Sequence, residues 1–321
     1  MNVKIKKTLI GFGSVAFLFW FLSSLNAYVL QGRHVLDLMI EKLGPAKSLF
    51  VSERLIYFRM AAAVPEQDAA LDNNTLALEN TAEDNSLAIQ QVETKPEAQE
   101  LETLEFEGTL RYVFSRAFRS DARSPSSERI HIAVGGRTLT IVDDKIVPDT
   151  ANRFDLFKDI LLYRSREALA ERLLQLGVDP AVSTLGRFED KIAFVLGAKY
   201  PDETVNQLWI DKDTLLPLRL IIHSVYGADS SDKVEIRYLV WWKIGESRYP
   251  SKIEFYQGDN LARVSQAKKF EENAMFSEEL FDIEHLESIY PRGLLEPIPP
   301  GGAEEPSEIQ KTIEDFKRIF E

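Results

Sequence analysis

The chain of 321 residues contains no cysteine. Disulfide bonds, thiol nucleophiles and thiolate metal sites are therefore excluded, as is the lipid-modified cysteine of a lipoprotein. Basic residues are also scarce: 38 Lys and Arg stand against 51 Asp and Glu, for a formal net charge of −13. Because no basic patch offsets this charge, the sequence argues against nucleic acid as a partner. Hydrophobic residues make up 45% of the chain, so a sizeable core can form, and it must rest on packing alone.

Recognisable catalytic motifs are missing as well. The four histidines are far apart in the sequence, at His34, His131, His223 and His285. No HExxH, GxSxG or Walker motif is present. Carboxylates are plentiful, but we place them mostly in the acidic stretch of residues 61–104 or at turns, such as Asp143-Asp144, where turn formation accounts for them. We therefore predict a protein that is not an enzyme, with no catalytic residues, no metal site and no cofactor.

The first 27 residues are typical of an export signal. Three lysines, at positions 4, 6 and 7, precede the apolar run Leu9–Leu22 and a polar-to-small end that closes at Ala27. Cleavage after Ala27 is one prediction. The alternative is an uncleaved inner-membrane anchor through residues 8–30, since that stretch approaches the length needed to span a bilayer. Both predict that the rest of the chain is exported to the periplasm.

Residues 61–104 form an acidic segment with ten Asp and Glu, a single lysine (Lys95) and no aromatic residue. Such a composition cannot bury enough surface to offset its ordering entropy. We predict a disordered insertion between the first two strands. A partner-binding acidic loop is the alternative.

The C-terminal part divides in two. Residues 286–306 are rich in Pro and Gly and predict an extended linker. Residues 307–321 predict an amphipathic helix, which begins with a capping box and carries a narrow apolar stripe. This helix either packs back on the domain or docks a partner.

Between these ends, residues 28–285 predict one domain built on strands. Its centre is the stretch Ile192–Ile222, in which three short strands follow one another at 192–196, 205–210 and 215–222. In the third strand Leu216, Leu218, Leu220 and Ile222 recur at every second position, which predicts one buried face.

The flanking elements extend this pattern. Helices are predicted at 31–43, 152–163 and 165–176, and further strands at 49–59, 105–114, 129–134, 137–142, 234–242, 252–256 and 262–270. Gly135-Gly136 predicts a two-residue hairpin turn. The fold class is thus mainly β (α+β). Ten strands predict a large curved antiparallel sheet that forms an incomplete barrel, with helices covering its concave apolar face.

The segment VLGAKYPDETVNQLWIDKDTLLPLRLII, residues 195–222, resembles the central hairpin of the lipoprotein-sorting family, the LolA/LolB/RseB-like superfamily. The resemblance extends over about residues 31–283 with the acidic insertion set aside. It implies an incomplete barrel whose mouth is covered by helices, and a bound apolar ligand rather than catalysis. It also implies a strand arginine inside the hollow, for which Arg111, Arg137, Arg219 and Arg237 are the candidates.

A curved sheet too large for its own side chains leaves an apolar hollow. From strand alternation we predict that its lining consists of Leu110, Tyr112, Phe114, Phe194, Leu218, Leu220, Ile236, Tyr238, Trp242, Ile253 and Phe255. The expected ligand is a lipid or the acyl chains of a lipoprotein, carried toward the outer membrane. Two alternatives remain open. The same residues can form a dry core under the helices, or the fold can sense a membrane-associated protein partner.

Overall fold

The computed structural model describes residues 29–60, 101–148, 152–223 and 233–293. The predicted signal or anchor, residues 61–100 of the acidic insertion, and the predicted C-terminal helix lie outside these ranges. Among the helices that fall inside them, none is long and apolar enough to cross a bilayer.

Thirteen strands within the described ranges form a single antiparallel sheet. They are β1 (Ser48–Met60), β2 (Leu101–Val113), β3 (Ala117–Arg123), β4 (Glu128–Val134), β5 (Arg137–Val142), β6 (Lys145–Val147), β7 (Ser183–Phe188), β8 (Lys191–Leu196), β9 (Gln207–Asp211), β10 (Pro217–Ile222), β11 (Val234–Ile244), β12 (Ser247–Gln257) and β13 (Asn260–Glu272). β6 and β7 are its two edges, so the sheet is open. The predicted fold class, a large antiparallel sheet that does not close into a barrel, is confirmed.

The path of the chain through the sheet explains where the helices lie. The first strand lies mid-sheet beside β13, and β2 to β6 follow one another to one edge. The chain then crosses to the opposite edge, where β7 begins a second meander that returns to β13. A connection between opposite edges must pass over one face of the sheet.

That connection, residues 152–178, contains helices and is called the crossover below. It consists of a 3₁₀ turn (Arg153–Leu156), α2 (Phe157–Leu162) and α3 (Arg166–Gln175), while α1 (Gly32–Leu43) precedes β1. Asn152 and Ser165 begin the turn and α3, since each side-chain oxygen accepts a hydrogen bond from a following backbone N–H. The three predicted helices are therefore present, the second one divided into the 3₁₀ turn and α2.

Three strands were not predicted: β3, β6 and β7. The first of them, AFRSDAR, lacks an apolar alternation because small Ser120 and Ala122 share a face with Phe118. β6 has only three residues and pairs with β5 after a turn at Asp143 and Asp144, both with positive φ. Short and polar strands show little hydrophobic periodicity. Whether such a segment forms a strand depends on its pairing with neighbouring strands.

Two predicted boundaries were wrong. Residues 101–104, assigned to the acidic insertion, begin β2 and pair with the last four residues of β1. Residues 286–289, assigned to the linker, belong to α4 (Ile283–Ile289). After this helix, residues 291–293 run beside β6, where Ile146 exchanges backbone hydrogen bonds with Pro291 and Gly293.

The sheet has two unlike faces. The inner face is covered by α1, α2 and α3 and carries the largest apolar cluster, called the inner core below. Opposite it, α4 packs Ile283 and Leu286 against β4 and β5 on the outer face. Register shifts in β1–β13, β9–β10 and β12–β13 mark irregularities of the bulge type, which bend strands and increase their twist.

Candidate functional site

The inner core contains most of the residues predicted to line the hollow. Eight of the eleven are buried in it, namely Leu110, Tyr112, Phe194, Leu220, Ile236, Tyr238, Ile253 and Phe255. Phe114 is partly buried and packs against them. These nine residues come from β8, β10, β11, β12 and β2 or the turn after it, so alternation alone located one shared face on five separate parts of the sheet.

Leu218 lies elsewhere. In the pairing of β9 with β10, Pro217 is opposite Ile210 while Arg219 is opposite Trp209, so Leu218 is the extra residue of a bulge. The bulge shifts the alternation, and Leu218 packs with Trp209 and Ala193 in a cluster separate from the inner core. Its assignment to the lining was wrong.

Trp242 lies at the margin of the inner face. Val240 has a positive φ of 51° and is exposed, which interrupts the alternation of β11 after Tyr238. Trp241 packs against the inner core, whereas Trp242 is 44% exposed. Trp242 pairs with Tyr249 of the inner core and contacts the ring of Phe270, which packs on that core. A β-branched residue with positive φ is not a feature that a period-2 pattern anticipates.

Apolar side chains of the helices cover this face. α1 contributes Val35, Leu36, Met39 and Leu43, and the crossover contributes Phe154, Phe157, Ile160, Leu161, Leu169 and Leu173. The rings of Phe154 and Phe157 lie 5.5 and 5.6 Å from the ring of Phe255 in edge-to-face geometry. In this structure the inner face is thus packed against the helices, the arrangement that the sequence left open as a dry core.

One arginine buried on the inner face, Arg263, was not among the candidates of the sequence analysis. Arg263 of β13 is 3% exposed, and its guanidinium carbon lies 3.7 Å from the centre of the Phe255 ring. The same group is 5.6 and 5.7 Å from the rings of Phe157 and Phe154. Cation–π contact therefore joins β13 to the crossover.

The four candidate arginines lie at other places. Arg111 pairs with Asp121, and Arg137 at the β4–β5 turn pairs with Glu284 of α4. Arg219 and Arg237 share Glu235, and Arg219 lies between the rings of Trp209 and Phe188 at 4.2 and 4.3 Å. Each of the four arginines therefore has a carboxylate partner in the protein, and none of them needs a ligand to balance its charge.

A buried acid lies near Arg263. Glu53 of β1 accepts a hydrogen bond from Ser265, and Gly108 on β2 leaves room for it, because a Cβ there would lie 2.9 Å from its Cγ. Burial raises the pKa of Glu53, while the Ser265 bond and the charge of Arg263 act in the opposite direction. Glu53 and Arg263 thus place an ionisable acid and a cation among the apolar side chains of the inner face.

A second charged group fastens the crossover to β4. Asp155 forms an ion pair with Arg129, with 2.6 Å between Oδ2 and Nη2, and His131 Nδ1 lies 3.7 Å from the same oxygen. Burial alone would raise the pKa of Asp155, but the charges of Arg129, His131, Arg263 and Lys158 outweigh it and hold that pKa below its ordinary value. The sequence gave no sign that these ionisable groups converge.

The helices are also joined to one another. Asp159 of α2 accepts hydrogen bonds from Lys158 and from Arg172 of α3. Arg166 of α3 donates to Asp37 of α1 at 3.0 Å. Ion pairs therefore connect the three helices over the inner face, separately from the pair that joins them to β4.

The chemistry of the site follows from these contacts. Each charged group described so far faces an opposite charge or an aromatic ring. Among the residues that the structure describes, no group of three or more His, Asp or Glu side chains is placed to hold a metal ion. Such an arrangement can hold an apolar molecule if the helices move away, with Arg263 and Glu53 as the polar groups of the face.

Comparison with known proteins gives matches at the level of structure only. No family model and no curated protein matches the sequence. A LolA superfamily protein from Nitrosomonas europaea is 11% identical, with a TM-score of 0.47 over 80% of this chain and 99% of its own. A domain described as an outer membrane lipoprotein-sorting protein, from Vibrio parahaemolyticus, is 10% identical, with a TM-score of 0.45 over 79% and 97%. The MucA/MucB complex of Pseudomonas aeruginosa contains a chain that is 14% identical, with a TM-score of 0.27 over 85% and 68%.

Proposed function

We propose that this protein is a non-enzymatic periplasmic carrier that binds a lipid, or the acyl chains of a lipoprotein, between the inner face of the sheet and the helices. Transfer toward the outer membrane is the role proposed for it. The observation that carries the proposal is the crossover itself. A segment that joins the two edges of the sheet lies on a large apolar face, and its side chains occupy the place that an acyl chain would take.

The attachment of the crossover to the inner face is suited to reversible opening. The 3₁₀ turn and α2 are held to the sheet mainly by side chains: Arg129 pairs with Asp155, the hydroxyl of Tyr238 donates to the carbonyl of Phe157 at 3.1 Å, and rings pack on Phe255. No sheet hydrogen bonds need to break when these contacts are exchanged for a ligand. The ion pairs Asp159–Arg172 and Arg166–Asp37 keep the helices together as they move.

The energetics permit such an exchange. Each methylene group that leaves water contributes about 0.8 kcal/mol, so a saturated chain of roughly 16 carbons gains on the order of 10 kcal/mol. That gain offsets the separation of Phe154, Phe157 and Ile160 from the sheet, because the ligand restores their apolar surroundings.

The test is native mass spectrometry of the full chain purified from its export compartment, with lipid extraction of the same sample. We expect stoichiometric acyl-bearing adducts that Leu220→Glu abolishes. Ile192→Glu is the matched control, since Ile192 is exposed on β8 and its variant should keep the adducts. Circular dichroism verifies that both variants fold.

A second measurement is independent of those variants. Because the chain has no cysteine, two can be introduced for spin labels at exposed Glu171 on α3 and Lys269 on β13. Addition of palmitate should lengthen the distance between the labels. A bare mass together with an unchanged distance would overturn the proposal and favour the alternative, in which the fold senses a protein partner.

A further inference from the structure

Arg164 lies in the short linker between α2 and α3, at one end of the inner core. Its backbone N–H donates to the hydroxyl of Ser115 at 2.9 Å, and the N–H of Ser115 donates to the carbonyl of Leu162 at 2.8 Å. Ser115 belongs to the turn between β2 and β3. The linker is therefore fixed to the sheet at this point, even though α2 and α3 on either side are held mainly by side chains.

Among the described residues, the guanidinium of Arg164 has neither a carboxylate partner nor a hydrogen bond from its buried nitrogens, a situation it shares in part with Arg263, whose Nε is also unpaired. The Nε and Nη1 atoms of Arg164 are out of contact with solvent and make no hydrogen bond, and no carboxylate within the described ranges forms an ion pair with it. Arg129, Arg172 and Arg219, by contrast, each pair with an acid. Desolvation lowers the pKa of Arg164 to about 10, so the group still carries its charge at neutral pH.

An unpaired, desolvated guanidinium is costly, and an anion that accepts two of its hydrogen bonds removes that cost. The planar N–H groups of arginine match the oxygens of a carboxylate or a phosphate. Within the described ranges, the cation faces the aromatic ring of Phe114, whose centre lies 4.1 Å from the guanidinium carbon. The guanidinium of Arg164 thus has N–H donors available for an anion from outside the protein.

Aromatic rings connect this position to the inner core. Phe114 stacks on Tyr112 at 5.8 Å, and the hydroxyl of Tyr112 lies 3.2 Å from that of Tyr249, where either one can donate. Tyr112 and Tyr249 are both buried in the inner core. Phe114 and Tyr112 therefore connect the unpaired guanidinium of Arg164 to the inner core by direct ring contacts.

We propose that Arg164 binds the anionic end of an amphiphilic ligand, a carboxylate or phosphate, while the acyl chain extends into the inner core. The inference rests on the proposed function and narrows its ligand class to acyl lipids with an anionic group. Acyl chains joined to a protein through neutral ester or amide bonds lack such a group, and they gain nothing from Arg164.

The test compares three ligands with the same sixteen-carbon chain: palmitate, hexadecyl phosphate and 1-hexadecanol. Their affinities for the full chain are measured at pH 8 by displacement of a fluorescent acyl probe. We expect at least one of the two anions to bind about tenfold more tightly than the alcohol, the size of a charge-assisted hydrogen-bond contribution. The anion that gains more identifies a free fatty acid or a phosphorylated lipid as the better ligand.

Arg164→Met keeps an apolar stem over Phe114 but removes the charge. This variant should lose the preference for anions and bind 1-hexadecanol as the unchanged protein does. Arg116→Gln is the matched control, because Arg116 is an exposed arginine in the same β2–β3 turn, and it should keep the preference.

The outcomes separate the two proposals. Equal binding of the three ligands, or a preference that survives in Arg164→Met, overturns the role of Arg164 and leaves the carrier function standing. If none of the three displaces the probe and the probe itself does not bind, both proposals are overturned.

Discussion

The carboxylate of Asp155 and the guanidinium of Arg129 form a buried ion pair that joins the crossover to β4, with both side chains at most 10% exposed. The two residues are 26 positions apart in the sequence and come from opposite sides of the interface between sheet and helices. The pair is placed where the crossover leaves the edge formed by β5 and β6. Its strength therefore bears on how readily the crossover separates from the sheet.

The first prediction concerns this pair. Arg129→Met leaves the charge of Asp155 buried beside fewer cations, and we expect it to lower the free energy of unfolding by about 3–5 kcal/mol. Urea denaturation measures the loss, and hydrogen exchange should show faster exchange of α2 amides than of β11 amides. The double variant with Asp155→Asn should recover part of the loss. If the double variant is as unstable as the sum of the single ones, the two residues are not coupled.

The second prediction concerns the stability of the protein at low pH. Because the pKa of Asp155 is lower in the folded protein than its ordinary value of 3.8, its contribution to stability is fully present above that pH. It is lost as the pH falls below 3.8 toward the folded pKa. The free energy of unfolding of Asp155→Asn should therefore fall less steeply between pH 4 and pH 2 than that of the unchanged protein. Parallel slopes in urea titrations would contradict the assignment.

The third prediction concerns Glu53, whose contribution to stability is lost as the pH rises rather than as it falls. The pKa of Glu53 is raised above its ordinary value of 4.5 in the folded protein, since burial disfavours its charged form. Its contribution is present below pH 4.5 and is lost as the pH rises through the folded pKa, by at most about 1.4 kcal/mol per pH unit. Relative to the unchanged protein, Glu53→Gln should become progressively more stable from pH 4.5 upward. Glu107→Gln, an exposed change on β2, serves as the control and should show no such trend.

The fourth prediction uses the two adjacent tryptophans. Trp241 packs against the inner core, whereas Trp242 is largely exposed. Trp242→Phe should remove most of the fluorescence that acrylamide quenches, and the variant should keep a spectral shift when palmitate binds. Trp241→Phe should show the reverse pattern. A ligand-induced shift that disappears with Trp242→Phe instead would place Trp242 in the lining.

Sequence periodicity located the inner core well because most of its strands follow the period of two without interruption. Leu220 and Ile222 of β10, and Ile253 and Phe255 of β12, show this pattern. Leu218 was misplaced for a local reason, the bulge in β10, which leaves no mark in the order of apolar residues. Such interruptions depend on how a neighbouring strand pairs.

The charged residues were harder to place. Arg263 and Glu53 lie on the inner face, although charged residues at alternating positions usually indicate the solvent side. Arg219, which stacks on Trp209 on the face opposite Leu220, was a candidate for the hollow only through resemblance. Arg164 lies in a linker that carries no periodic pattern. For these residues burial follows from partners that are distant in sequence.

The sequence by itself determined the class of the fold, the places of α1, α2 and α3, most of the strands and most of the apolar residues of the inner core. Alternation and capping are local properties, and a strand or helix expresses them wherever it lies. Only the tertiary structure decided that β1 pairs with β13 and that Asp155 reaches Arg129. It alone left Arg164 without an acid, because the position of a charge relative to its partners depends on the packing of segments that are far apart in the chain.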